Sequence, residues 1–233
     1  MDHLSTLGRA VGARGEVVLR RRLNQTGTVD ELIVNGAFAM DSTETTSERE
    51  LARLALHRGR PDARLLVGGL GLGYTAYEAL RLPVGHIDVV ELEPALVEWA
   101  HAGLTPTLGL LAQDPRVTLV VGDIATVLLN ESIAGSHSGW DAIVLDVDNG
   151  PDFLVHTENA SLYGHRLLAT AYGRLAAGGR LAIWCQGPSP ALTSALQAVA
   201  PTVQEKLVPV TRGTRRLCYA IYTLDRLGTG YQR

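Results

Sequence analysis

Leu65-Leu66-Val67-Gly68-Gly69-Leu70-Gly71-Leu72-Gly73-Tyr74-Thr75 is an apolar run that breaks into a G-x-G-x-G turn and then into a helix-forming stretch. A strand that ends in closely spaced glycines can turn where side chains would block it, and it offers bare backbone to a ligand. A second apolar run ending in acid follows, Val89-Val90-Glu91-Leu92-Glu93-Pro94, with Glu91 eighteen positions beyond Gly73. An acid at the end of the strand after such a turn can accept hydrogen bonds from two ribose hydroxyls. The order and spacing predict a nucleoside site at the C-terminal edge of a parallel sheet. Gly69, Gly71, Leu72, Gly73, Glu91 and Leu92 are expected to border it. The turn departs from the dinucleotide fingerprint. Its third glycine comes one residue early, and no Lys or Arg lies between Leu65 and Leu80 to meet a phosphate. The expected ligand is therefore adenosine-like and free of phosphate, such as S-adenosylmethionine.

From Ala63 onward, strands alternate with helices. The strands fall near 63–68, 86–92, 116–121, 140–146 and 179–185, and the helices near 73–82, 94–104, 123–130, 159–176 and 189–199. That alternation predicts a doubly wound α/β domain with right-handed crossovers. Two β-rich runs close the chain, 203–210 and 216–224, joined by the basic turn Thr211-Arg212-Gly213-Thr214-Arg215. A terminal strand reached by so short a turn must be antiparallel. Residues 15–40 also read as strands, with turn chemistry at 24–27 and a two-residue hairpin signal at Asn35-Gly36. Ser47–Arg58 has helical period, and Ser47 with Glu50 fits a capping box.

The 233 residues, 46% apolar and 19% charged, suffice for one large α/β domain with a small appendage. A net charge of −3 makes no case for nucleic acid or an anionic membrane. No apolar run reaches the ~18 residues of a membrane span, and the first residues lack the apolar stretch of a secretory signal. A cytoplasmic protein is the expectation. Cys185 and Cys218 lie in apolar, strand-like runs and are expected to be buried free thiols. The seven histidines lack metal-ligand spacing, so no metal is expected. The small, polar segment 130–139 reads as an exposed loop.

Four strand ends border one crevice in such a sheet. After the glycine turn and Glu91 come Gly122-Asp123, followed by Ile124, and then Asp146-Val147-Asp148-Asn149-Gly150-Pro151-Asp152. Asp123 suits an exocyclic adenine amine, a helix N-cap, or both. Asp146 ends the apolar run Ala142-Ile143-Val144-Leu145, which puts it at the mouth of the crevice. Residues 146–158 contain Asp146, Asp148, Asp152 and Glu158 and no Lys or Arg. With Asp41, Glu44 and Glu48 folded over from the N-terminal unit, they predict an acidic mouth suited to an amine substrate.

The chain resembles the spermidine synthase family, the polyamine aminopropyltransferases, over nearly its full length. The resemblance rests on Gly69-Leu70-Gly71-Leu72-Gly73, Val90-Glu91-Leu92-Glu93, Gly122-Asp123, Leu145-Asp146-Val147-Asp148-Asn149 and Trp184-Cys185-Gln186-Gly187. It implies a mostly parallel, seven-stranded, methyltransferase-type Rossmann sheet with an antiparallel C-terminal strand. Residues 47–233 would form this catalytic domain and residues 1–46 a small antiparallel β-unit. By resemblance Glu91 binds ribose, Asp123 and its neighbour Ile124 meet adenine, and Asp146 both borders the nucleoside and acts as catalytic acid–base. Glu48, Asn149, Tyr163 and Gln186 fall on the substrate side. The resemblance also implies a homodimer, and S-adenosylmethionine or its decarboxylated form as co-substrate. The family usually has an Asp inside the glycine turn, where this chain has Leu72. It has another Asp three residues after the catalytic one, where this chain has Asn149, a role Asp148 or Asp152 is placed to take over. The family's Tyr-Gln pair falls near Ser47-Glu48. The expected reaction moves an aminopropyl-type arm from sulfonium to amine and releases methylthioadenosine. Methyl transfer to a small molecule and intramolecular cyclisation of the amino acid arm are the alternatives.

Overall fold

The computed structural model describes residues 3–12, 14–24, 27–130, 139–147, 150–151 and 157–227. Asp148, Asn149, Asp152, the side chain of Glu158 and most of the predicted loop at 130–139 lie outside the described residues. The chain opens with β1 (His3–Gly12), β2 (Gly15–Asn24), β3 (Gly27–Val34) and β4 (Ala37–Asp41), an antiparallel sheet in sequence order. Asn35 and Gly36 both have positive φ, 52° and 76°, and Val34 faces Ala37 across them. This is the two-residue turn whose twist matches the flanking strands. Strand β1 was not anticipated. Its pattern of exposure lacks a clean two-residue alternation, and pairing along β2 is what fixes it.

Helix α1 (Thr46–Ala55) starts one residue earlier than expected, with Thr45 at its N-cap and no side-chain cap. The capping box does not form. Ser47 is already inside the first turn and buried, so its hydroxyl donates to Glu48 Oε2 (2.7 Å) instead. Arg49 and Arg53 both reach the buried Glu78 on the next helix and lock α1 to it.

The main domain runs β5 (Arg64–Gly68), α2 (Tyr74–Ala79), β6 (His86–Glu91), α3 (Pro94–His101), α4 (Pro106–Gln113), β7 (Val117–Val121), α5 (Ile124–Leu129) and β8 (Trp140–Leu145). After a 3₁₀ turn at Thr157–Tyr163 come α6 (His165–Gly173), β9 (Leu175–Cys185), α7 (Pro190–Gln197), β10 (Val203–Arg212) and β11 (Arg215–Asp225). Helix α4 is an addition to the sequence reading. Thr105 caps it by accepting from Leu108 N, and Pro106 fills its first position.

The seven strands lie in the order β10-β11-β9-β8-β5-β6-β7. Strands β5 to β9 are parallel to one another, and β11 is antiparallel to both its neighbours. This is the expected α/β architecture. Both faces are covered. Leu65, Val67, Ile87, Val89, Ala142 and Val144 pack under α1–α4 and the N-terminal strands. Leu66, Val90, Ile143 and Leu145 pack under α5–α7. Burial on both faces is why these strands read as unbroken apolar runs. The chain leaves β5 toward β6 and β7, then returns to its other side as β8. The switch point between β5 and β8 is where such sheets open a crevice.

Cys185 is buried, but Cys218 is exposed, against expectation. Pairing of β11 with β9 begins only at Ala220, which faces Cys185, so Cys218 lies on the part of the β10–β11 hairpin that projects past β9. Among the described residues no helix is long and apolar enough to cross a membrane.

Candidate active site

Backbone hydrogen bonds lace the strand ends together. Asp146 N donates to Gly68 O (2.9 Å), Gly69 N to Val90 O (2.8 Å) and Gly122 N to Glu91 O (2.8 Å). The four ends predicted to converge therefore share one edge. Between them the chain turns through Gly69 at φ 95° and Gly73 at φ 84°. A Cβ on Gly69 would lie 2.1 Å from Asp146 O, and one on Gly73 2.5 Å from Leu111 Cδ1. Both positions need glycine twice over, for backbone conformation and for space.

A cavity of about 650 Å³ opens at this edge, between the N-terminal sheet and the main domain. It is lined by Gly69, Gly71, Glu91, Leu92, Asp123 and Ile124, all anticipated as nucleoside contacts. Glu91 is only 7% exposed. Its Oε2 accepts from Leu70 N (2.7 Å) and its Oε1 from Glu93 N (2.8 Å). Burial raises its pKa, against the opposing pull of the Glu93, Leu70, Gly71 and Leu92 amides. The carboxylate is held fixed, and each oxygen keeps acceptor capacity for a ligand. Asp123 caps α5 by accepting from Ala125 N (2.8 Å) while lining the cavity, so its two readings coexist.

Asp146 and Glu48 line the same cavity. Asp146 is half-buried, and its Oδ2 accepts from Thr75 Oγ1 (2.7 Å). Burial pushes its carboxyl up to about 6, against the Thr75 hydrogen bond. Glu48 is pushed up to about 7, first by burial and then by the negative charge of Asp146, while Ser47 and Arg212 oppose the rise. Glu48 thus responds to the charge of Asp146, and Thr75, which donates to Asp146, also has its Oγ1 3.4 Å from the main-chain carbonyl of Glu48. Gln186 lines the cavity as well.

Three anticipated residues are not in the cavity wall. Leu72 is 1% exposed and packs in the core, where its N–H reaches Met40 Sδ (3.3 Å). Gly73 serves as the left-handed N-cap of α2. Tyr163 is 6% exposed within the second core, and its neighbour Leu162 is the one that reaches the cavity.

Of the acids expected at the mouth, Asp146 and Glu48 line the cavity. Asp41 and Glu44 are absent from the wall. Asp41 Oδ1 accepts from the Thr43 amide and hydroxyl and from Glu44 N, and Oδ2 lies 3.0 Å from Arg212 Nη1. Three arginines line the cavity instead: Arg14, Arg212 and Arg215. Arg212 donates from Nε to Tyr219 Oη (3.3 Å) and from Nη2 to Glu44 O (3.1 Å), beneath the Phe38 ring at 5.4 Å. Trp184 and Tyr219 form an aromatic wall, with centroids 4.9 Å apart and planes at 51°. The basic turn at 211–215 was visible in the sequence. Its arrival at the site depends on β11 lying beside β9, which local pattern does not reveal. Among the described residues, no three His, Cys, Asp or Glu side chains are grouped to hold a metal.

Over 167 residues, 69% of its length, the chain is 34% identical to a polyamine aminopropyltransferase of Corynebacterium efficiens. It is 30% identical over 87 residues to another, from Korarchaeum cryptofilum. In sequence the chain is similar to members of the spermidine synthase family. A further relative, putrescine N-methyltransferase 4 of Nicotiana tabacum, is 38% identical over 87 residues, 37% of the chain. The chain spans 30% of the length of the Corynebacterium relative, 25% of the Korarchaeum one and 21% of the Nicotiana one. No family model matches. In fold it is similar to spermidine synthase from Thermotoga maritima, with a TM-score of 0.72 at 16% identity, over 95% of this chain and 72% of that one. It is similar also to a spermidine synthase in complex with the transition-state analogue AdoDATO. There the TM-score is 0.75 at 16% identity, over 95% and 73% of the two chains.

Proposed function

We propose that the chain is a transferase that catalyses displacement at a carbon bound to the sulfonium of S-adenosylmethionine or its decarboxylated form. An amine is the nucleophile and methylthioadenosine the product. One observation carries this reading: a single cavity joins the glycine turn and the fixed Glu91 carboxylate to the paired acids Asp146 and Glu48. Glu91 would hold the ribose hydroxyls. Asp123 and Ile124 would border adenine. The relatives named as aminopropyltransferases support the same reaction class.

The sulfonium supplies a carbon with a good leaving group. The rest of the work falls to the chain. The cavity walls align amine, carbon and sulfur, a positioning effect that can contribute several kcal/mol. The attacking amine must be neutral. Asp146, with a pKa near 6, is largely ionised at pH 7–8 and takes the proton as nitrogen bonds to carbon and the C–S electron pair returns to sulfur. General-base action of this kind typically contributes ~10²–10⁴ in rate. The sulfonium charge disappears along this path, so a fixed anion beside the sulfur would oppose it. The apolar, buried Leu72 places none in the glycine turn.

Methyl transfer is the second reading, favoured by the similarity to putrescine N-methyltransferases. The nucleoside product separates the two. Incubation with either donor, with and without amines, followed by mass spectrometry, is expected to show methylthioadenosine. S-adenosylhomocysteine would establish methyl transfer instead. Release of neither nucleoside would overturn the proposed reaction.

A further inference from the structure

The part of the cavity around Glu48 is bipolar, because the Arg212 charge acts on the Glu48 carboxyl. Glu48 and Asp146 stand in the same wall system as Arg212 and Arg215. Arg212 and Arg215 face each other across the last rung of the β10–β11 hairpin. Like charges directly opposite on paired strands destabilise the pair, and only one of these two is compensated. Arg212 lies against Asp41, whereas the side chain of Arg215 makes no hydrogen bond or ion pair among the described residues. Even Arg212 has a donor to spare. Its Nη1 approaches Asp41 Oδ2 at 3.0 Å but off the hydrogen-bonding direction, and that nitrogen is buried. Trp184, also in the wall, keeps its indole N–H buried without an acceptor. A buried donor without a partner is costly, and an anionic acceptor resolves it. A linear diamine satisfies the acids but brings positive charge to the arginines. A group with an ammonium at one end and a carboxylate at the other satisfies both.

We propose that this part of the cavity recognises an amino-acid group, Arg212 and Arg215 holding its carboxylate and Glu48 its ammonium. This rests on the reading that the rest of the cavity binds an adenosyl moiety. The amino-acid group can belong to the donor, as the methionine arm of intact S-adenosylmethionine, or to a separate acceptor.

Two ligand pairs that differ only in a carboxylate test the inference by calorimetry. The first pair is S-adenosylmethionine against its decarboxylated form. The second is L-ornithine against putrescine, each titrated into protein saturated with methylthioadenosine. In at least one pair the carboxylated member should bind about tenfold tighter or more, as expected for charge-assisted hydrogen bonds. A preference in the first pair assigns the group to the donor, and in the second to the acceptor. Arg215→Gln, at an exposed position where folding is not at risk, should shrink the preference to about threefold or less. It should leave methylthioadenosine affinity unchanged. If methylthioadenosine binds but neither pair favours its carboxylated member, or Arg215→Gln leaves the preference intact, the amino-acid inference fails alone. If methylthioadenosine does not bind the wild type, the nucleoside reading fails and this inference falls with it.

Discussion

Asp146 and Glu48 line one cavity, and both have carboxyl groups raised above their ordinary values by burial. The folded pKa of Glu48, about 7, lies above its ordinary 4.5. Glu48 therefore favours folding most below its unfolded value, and that contribution is lost as pH rises through about 7. Glu48→Gln cannot ionise. It should match the wild type near pH 4 and be about 1–3 kcal/mol more stable near pH 8. Thermal melts at the two pH values check this, and an equal difference at both would show that Glu48 ionises freely. The same pair governs rate. The acid limb of kcat should rise between about pH 6 and 7 and belong to the pair as a whole. Glu91→Ala removes the acceptor of both Leu70 N and Glu93 N as well as the ribose partner. Methylthioadenosine affinity should drop by the loss of charge-assisted bonds, about 1.5–3 kcal/mol. Equal affinity by calorimetry would take Glu91 out of the site. The place of Glu91, Asp123 and Asp146 in the cavity wall was legible in the sequence, because it follows from their position at strand ends. Arg212 and Arg215 were not assignable, because only the sheet order brings their hairpin to the cavity. Leu72 and Tyr163 were misplaced because adjacency to a motif does not say which way a side chain points.

At the scale of elements, the β5–α2 turn is the part most sensitive to change. Gly69→Ala forces a φ of 95° on a residue with a Cβ and drives that Cβ against Asp146 O at 2.1 Å. Backbone strain of this kind costs about 1–3 kcal/mol before the clash is counted. The variant should melt lower and lose nucleoside binding. Full binding at unchanged stability would mean that the turn tolerates a side chain and that its glycines serve some other purpose. Elements buried on both faces were readable as apolar runs bounded by glycine or proline, which is why β5, β6, β8 and β9 fell near their expected places. Strand β1 was hidden because half-exposed residues held by cross-strand pairing carry little periodicity. Helix α4 was hidden because an eight-residue helix with Gly109 at its centre carries a weak pattern, and only its Thr105 cap and Pro106 mark it.

For the whole molecule, the N-terminal sheet closes the cavity that the Rossmann sheet opens, so neither part makes the site alone. The N-terminal sheet also leaves Leu4 and Val11 of its edge strand β1 exposed, at 54% and 77%. Together with the family resemblance this leads us to expect a homodimer. Light scattering at micromolar concentration should give twice the chain mass of 24.9 kDa, and a value at the chain mass would refute it. If the chain is a proton-abstracting transferase built on a nucleoside site, Asp146→Asn should disable it. Turnover and methylthioadenosine affinity should be measured on the same preparation, with folded fraction as the reference. Turnover should fall by roughly 10²–10⁴ while affinity holds within a small factor. Unchanged turnover per folded molecule, with lowered thermal stability, would make Asp146 a structural acid and contradict the account.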